Sequence, residues 1–297
     1  MTNLPPRLRL NLSAGLASVA TATVLVALKL WALWQTGALA IAASLADSAM
    51  DLLVSFAGLA AIVYAARPAD EDHAFGHDSA EDLASLGQSV FIFASACAIL
   101  WAAGHRLLED EPPEITSEGY GIAAMAVSAL VTMGLVAWQR RVARRTHNKV
   151  VAADMLHYIG DLIPTVGAIV ALVVAGTFGV QRVDSLFAIG AALFMLWGAV
   201  KIGREGWHAL MDRAAPEETV AEIGKIAAST EGVRAFHDLR TRTSGARLFV
   251  QIHVELDGDQ PLRTAHGIAA GMKRRILARY PEADVIVHMD VWRGKSA

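Results

Sequence analysis

The chain predicts a polytopic α-helical membrane protein with six transmembrane helices, joined to a small cytoplasmic α+β domain of order αββαβ, metallochaperone-like. Three observations lead there. Of 297 residues, 54% are hydrophobic and only 19% charged, a balance that soluble domains rarely show. Six stretches, at about 12–34, 38–64, 83–108, 119–138, 150–178 and 183–200, are apolar over a length that spans, or nearly spans, a hydrocarbon core. After about Met211 the apolar runs give way to short alternating and amphipathic patterns. The expected division is a cytoplasmic N-terminal tail at 1–11, a six-helix transmembrane domain at 12–211 and a cytoplasmic domain at 212–297.

The first span carries Lys29 near one end, beside Trp31 and Trp34, where its ammonium is expected to reach the membrane surface. The stretches 83–104 and 119–138 contain no charged residue, and the shortest, sixth span can continue to about Leu210 as an amphipathic helix. No cleavable signal peptide is expected ahead of the first span. Orientation follows from the loops. Arg7 and Arg9 precede span one; Arg140, Arg141, Arg144, Arg145 and Lys149 lie between spans four and five; Lys201, Arg204 and Arg213 follow the sixth. The opposite side has Gln35, Gly37, an acidic loop from Glu109 to Glu114, and Gln181 and Arg182. Both termini are therefore expected in the cytoplasm of a multi-pass protein.

In the C-terminal part, 216–230 reads as a helix with Pro216 and Glu217 in its first turn. A hairpin follows around Ser244 and Gly245. Its second strand alternates, with Leu248, Val250, Ile252, Val254 and Leu256 on one face and Phe249, Gln251, His253 and Glu255 on the other. An amphipathic helix at 262–280 ends before Pro281, and a last strand covers 285–291.

Composition excludes several classes. A net charge of −3 without a basic tract gives no reason to expect nucleic acid, and Cys97 stands alone, so neither an internal disulfide nor a thiolate metal site is available. A metal site must then come from His, Asp and Glu. The second span carries Asp47 and Asp51, and the fifth His157 and Asp161. Each pair is spaced i, i+4, one turn apart on one helix face. A carboxylate at the bilayer centre costs roughly 2.5–3.5 kcal/mol, so such groups face one another, water or an ion. Two carboxylates from one helix with an imidazole and a carboxylate from another make a four-ligand N/O cage, suited to a divalent transition metal, zinc first. A purely structural polar contact between helices is the alternative. Asp154, three residues before His157, reads as an access-path carboxylate or a helix-end residue.

Ten histidines are unevenly placed. In the loop after span two, Asp70, His73 and His77 converge if the loop turns helically, since i+3 and i+7 share a face; a solvated polar loop is the alternative. His237, His253, His266, His288 and Asp290 lie in the C-terminal domain, with His288 and Asp290 on one face of the last strand. Together they offer zinc ligands; separately, each histidine is an ordinary surface residue.

With these residues in view, the chain resembles the cation diffusion facilitators, divalent-metal/proton exchangers with six spans and a cytoplasmic domain. The resemblance covers nearly the whole chain. Its marks are Asp47, Ser48 and Asp51 in span two, Asp70 with Phe75, Gly76 and His77 in the loop, and Asp154, His157 and Asp161 in span five. The C-terminal domain adds His237, Asp238, Arg240 and Arg242, then His288 and Asp290. It is most similar to the bacterial branch that exports zinc, some members handling iron(II) or cadmium. The resemblance implies a transport site at Asp47, Asp51, His157 and Asp161, and a loop site at Asp70, His73 and His77. It further implies a two-metal site at His237, His253, His266, His288 and Asp290, at the interface of a homodimer in the cell inner membrane. Two departures stand out. Where a lysine commonly follows the loop histidine and pairs with an aspartate after span six, this chain has Ser79 while Asp212 remains; and Ile159 and Gly160 replace a more polar pair.

The expected chemistry is competition of metal and protons for one deprotonated ligand set, with His157 expected to titrate near neutral pH. A proton gradient then drives metal efflux by alternating access. An imidazole among three carboxylates favours zinc, cadmium or iron(II) over manganese. A membrane metalloenzyme is disfavoured because no His-Glu-x-x-His is present. A metal sensor needs only the soluble domain and leaves the intramembrane ligands without a task.

Overall fold

The computed structural model describes residues 4–36, 39–108, 119–178 and 183–294. Within them the side chains at 32, 36, 39–44, 46–47, 106–108, 119–126, 164–165, 167–178, 183–185 and 187 are outside the description. The chain divides into two compact units, Met1–Trp207 and His208–Ala297.

The first unit is all helix: α1 (Pro6–Thr36), α2 (Leu39–Ala65), α3 (Ser79–Leu108), α4 (Gly119–Thr146), α5 (Lys149–Phe178) and α6 (Val183–Leu210). Among the described residues, three stretches are long and apolar enough to cross a membrane, Pro6–Gln35, Ser48–Ala65 and Ser79–His105. The acidic loop expected from Glu109 to Glu114, and Gly37, Gln181 and Arg182, lie outside the described residues. Where α4 meets α5, His147 takes a positive φ of 53°, which ends one helix. Asn148 then caps the next, its Oδ1 accepting the Val151 N–H at 3.0 Å.

Small side chains let the helices approach, as helix packing in a bilayer requires. Ala96 on α3, Ala153 on α5 and Ala192 and Ala199 on α6 are buried together with Ile92, Leu156 and Met195. A Cβ at Gly160 would collide with the Met195 side chain, and one at Gly198 would stand 2.6 Å from Leu156 Cδ2. The glycine that departs from the branch pattern is thus a point of close α5–α6 contact. A second cluster joins Ala14, Ile62, Val142, Val150 and Val151 from α1, α2, α4 and α5. Near the start of α5, Lys149 Nζ donates to the buried Asp82 Oδ1 on α3 at 2.7 Å.

The second unit runs α7 (Glu217–Ala228), β1 (Ala235–Ser244), β2 (Arg247–Leu256), α8 (Leu262–Arg279) and β3 (Asp284–Val291), the order the sequence predicts. The sheet order is β1-β2-β3; β1 and β2 are antiparallel, while β3 returns parallel to β2. A parallel partner needs a crossover, which α8 supplies. The tight turn between β1 and β2 uses Gly245 at φ 52°. Val250, Ile252, Val254 and Leu256 alternate into the core with Ile223, Ala227, Met272, Ile276 and Val285, leaving the opposite face of β2 polar. Asp212 accepts a hydrogen bond from Arg242 Nη1 on β1 at 3.2 Å, so this aspartate is engaged within its own unit.

Candidate metal sites

In the helical unit, α2 supplies Asp51, and α5 supplies His157 and Asp161. His157 Nε2 lies 2.9 Å from Asp51 Oδ1 and 3.8 Å from Asp161 Oδ2. The three can each point one ligand atom so that all lie within 4.8 Å of one another. Their i, i+4 spacing on α5 explains the stacking of His157 over Asp161, and the contact to α2 is what brings Asp51 in. His157 is 4% exposed, and its Nδ1 is buried without a hydrogen-bond partner among the described residues. The side chain of Asp47, one turn earlier on α2, lies outside the described residues. The three groups line a cavity of about 660 Å³, with Lys29, Ser48 and Thr132 among its other polar walls. Lys29 therefore does not follow the expected path to the membrane surface: its Nζ donates to Ser48 Oγ at 2.6 Å.

Asp154 is buried rather than exposed at a helix end. It is 6% exposed and accepts from Gln139 Nε2 on α4 at 2.7 Å and from Ser55 Oγ on α2 at 3.4 Å. Ser55 Oγ lies 3.0 Å from Tyr158 Oη and 2.8 Å from Ser18 Oγ on α1. One buried network thus ties α1, α2, α4 and α5 one turn from His157. Gln139, Ser18 and Ser55 carry no signal in sequence, because each is an ordinary small or amide side chain until the helices assemble.

Asp70, His73 and His77 do come together, though not on a helix. The 66–78 segment is a series of turns, with His73 N–H donating to Asp70 Oδ1 at 2.7 Å and Gly76 at φ 90°. His73 Nδ1 is 3.3 Å from Asp70 Oδ1, and His77 Nε2 is 3.3 Å from Asp70 Oδ2. The backbone N–H of His73 holds the Asp70 carboxyl below the usual carboxylate range. His77 is buried against the edge of Tyr64, and its Nδ1 has no hydrogen-bond partner among the described residues. A helical turn is unnecessary because the Gly76 backbone reverses the chain and returns His77 to Asp70.

On the polar face of the sheet, register builds the third group. His237 pairs across to His253, and His253 to His288, so three strands contribute one row of imidazoles. Their ring centroids are 5.2 and 4.5 Å apart. Asp290, next on the same face of β3, meets His253 Nδ1 at 2.9 Å, His288 Nε2 at 3.3 Å and His237 Nε2 at 3.4 Å. The His253 hydrogen bond, with the neighbouring histidines, lowers the Asp290 pKa. His237, His253 and Asp290 can bring ligand atoms within 4.8 Å of one another. His266 is exposed on α8, and among the described residues no contact joins it to this row. Glu255, not among the expected ligands, sits beside Asp290 in register and 3.1 Å from His237 Nδ1. Its alternation with His253 was the available signal.

The profile of the cation efflux transmembrane domain matches residues 15–211, and that of the cation efflux protein cytoplasmic domain matches 215–291. The chain is 40% identical over 282 residues to the cation-efflux pump FieF of Klebsiella pneumoniae, covering 95% of this chain and 93% of that one. It is 41% identical to FieF of Escherichia coli O127:H6 over the same shares. The metal-bound C-terminal domain of the CzcD transporter from Thermotoga maritima is 21% identical with a TM-score of 0.25, covering 27% of this chain and 93% of that one. The chain belongs to the cation diffusion facilitator family. It is an integral membrane cation-efflux transporter, with a cytoplasmic C-terminal domain containing a sheet, and not an enzyme.

Proposed function

We propose that this protein exports zinc from the cytoplasm in exchange for protons, with iron(II) and cadmium as further substrates. The observation that carries the reading is the meeting of Asp51, His157 and Asp161 across α2 and α5 on one cavity wall. With Asp47 they form the transport site. A metal ion entering from the cytoplasm displaces protons from these ligands, since carboxylate and imidazole bind metal only when deprotonated. The helices then open the cavity to the other side, where protons displace the metal.

The same proposal places six helices across the cell inner membrane, with both termini cytoplasmic. It divides the chain into a tail at 1–11, a transmembrane domain at 12–211 and a metal-binding domain at 212–297. Asp70, His73 and His77 form a loop site. His237, His253, His266, His288 and Asp290 hold metal at the homodimer interface of the cytoplasmic domains, His266 contributed from α8 and the others from the sheet. Zinc is favoured by the mixture of one imidazole with carboxylates, which all-oxygen manganese sites lack.

The test is reconstitution of the full chain in vesicles under a pH gradient, following zinc and proton movement together. Opposed fluxes that vanish in Asp51→Ala support the proposal; full flux in that variant overturns it.

A further inference from the structure

We propose that Lys29 is a resident cation of the transport cavity, held there so that bound metal stays releasable; this rests on the transport-site reading above. Its position in α1, beside the exposed Trp31 and Trp34, predicts an ammonium at the membrane surface. The side chain turns inward instead. Nζ donates to Ser48 Oγ at 2.6 Å, and Ser48 precedes Asp51 by three residues on α2, less than one turn. Lys29, Ser48, Asp51, His157 and Asp161 all line the same cavity. Among the described lining residues Lys29 is the only lysine or arginine.

A fixed ammonium in a cavity with several carboxylates acts in two ways. It offsets their mutual repulsion while no metal is bound, which makes the empty site less avid. It also repels an arriving dication directly, and both effects are larger in a low-dielectric setting than in water. Affinity is thereby lowered from both sides. A transported ion must bind well enough to enter and weakly enough to leave, and three carboxylates with an imidazole would otherwise make a storage site. The Ser48 hydroxyl fixes where this charge sits, on the helix that carries Asp51. Lys29 is thus a positioning and affinity-setting residue rather than a ligand, since an ammonium has no lone pair for metal.

The experiment is zinc flux into vesicles containing the full chain, comparing wild type with Lys29→Met, Lys29→Gln, Lys29→Arg and Asp51→Ala. In both neutral variants the zinc KM is expected to fall about tenfold while the maximal rate also falls. Lys29→Arg, which keeps the charge, restores KM towards the wild-type value. A lysine that merely joins α1 to α2 would lower the rate or raise KM without lowering it, and that result in both neutral variants overturns the inference. Lost flux in Asp51→Ala beside an unaltered KM in the neutral variants overturns the inference alone. Full flux in Asp51→Ala overturns the site reading and the inference with it.

Discussion

Glu255 Oε1 stands 3.1 Å from His237 Nδ1, while the other ring nitrogen of His237 faces Asp290 at 3.4 Å. A carboxylate on the far nitrogen fixes the tautomer and orientation of a metal-binding imidazole and raises its basicity. The β1 strand needs this help, because a bulge between His237 and Arg240, with Asp238 at φ 46°, interrupts the ladder just beyond the histidine. Glu255→Ala is expected to weaken zinc binding by the cytoplasmic domain by about 10–100-fold. Competition against a chromophoric chelator, in an Asp51→Ala, His77→Ala background that disables the proposed intramembrane and loop sites, measures it. Unchanged affinity would show that His237 needs no such partner.

The buried tie between Gln139 and Asp154 carries a separate expectation. At 2.7 Å it is the shortest bond Asp154 is seen to accept, and a carboxylate deprived of a buried donor loses about 1.5–3 kcal/mol. Gln139→Leu should therefore unfold at lower temperature than wild type, and in the Asp154→Leu background the same change should cost much less. Additive effects in that double-mutant cycle would show that the two side chains do not act together.

On α5, Gly160 faces α6, and any Cβ there meets the Met195 thioether. Methionine is adaptable, so Gly160→Ala should be absorbed by a rotamer change. Gly160→Val should lower stability by about 1–3 kcal/mol through overpacking, and Met195→Ala should relieve it. Thermal unfolding of the four variants checks the pattern. Equal destabilisation by Val with and without Met195 would locate the clash elsewhere.

Much of this arrangement is legible from periodicity. The i, i+4 pairs on the second and fifth spans already put His157 and Asp161 on one face, and strict alternation on β2 separates the core Val250, Ile252 and Val254 from His253. What stays hidden depends on neighbours brought by tertiary packing. Lys29 looks like an interfacial anchor until Ser48 is seen beside it. Asp154 looks like a helix-end carboxylate until α1, α2 and α4 deliver Ser18, Ser55 and Gln139. The loop histidines meet by a turn at Gly76, whose positive φ no helical spacing rule anticipates. His266 lies on α8 rather than on the sheet, so its relation to the imidazole row is not legible from periodicity within one chain.

Acid should weaken the cytoplasmic domain in a defined direction. The Tyr280 hydroxyl, donating at 2.6 Å, and Arg279 lower the pKa of Glu222 below its ordinary 4.5. A carboxylate lowered on folding stabilises the native state above its unfolded pKa, and that contribution disappears as pH falls through the native value. Glu222→Gln should therefore unfold earlier than wild type at neutral pH, and the difference should vanish under strong acid. Thermal scans across pH test this; a gap that persists at low pH would mean that the charge of Glu222 is not what links α7 to α8.

Substrate choice should turn on His157. An imidazole nitrogen favours zinc, cadmium and iron(II), whereas manganese is content with oxygen. His157→Asp converts the described donors Asp51, His157 and Asp161 into an all-carboxylate group while preserving their i, i+4 placement on α5. It also removes the 2.9 Å contact to Asp51, so the two carboxylates then repel unless a cation lies between them. Such a site demands a metal more strongly but discriminates less among metals. Flux in vesicles should show manganese transport rising relative to zinc by about tenfold or more, a shift of roughly 1.4 kcal/mol in relative preference. Iron(II) should move less, since it tolerates both donor types. An unchanged zinc-to-manganese ratio would remove His157 from the ligand set and leave selection to the shape of the cavity.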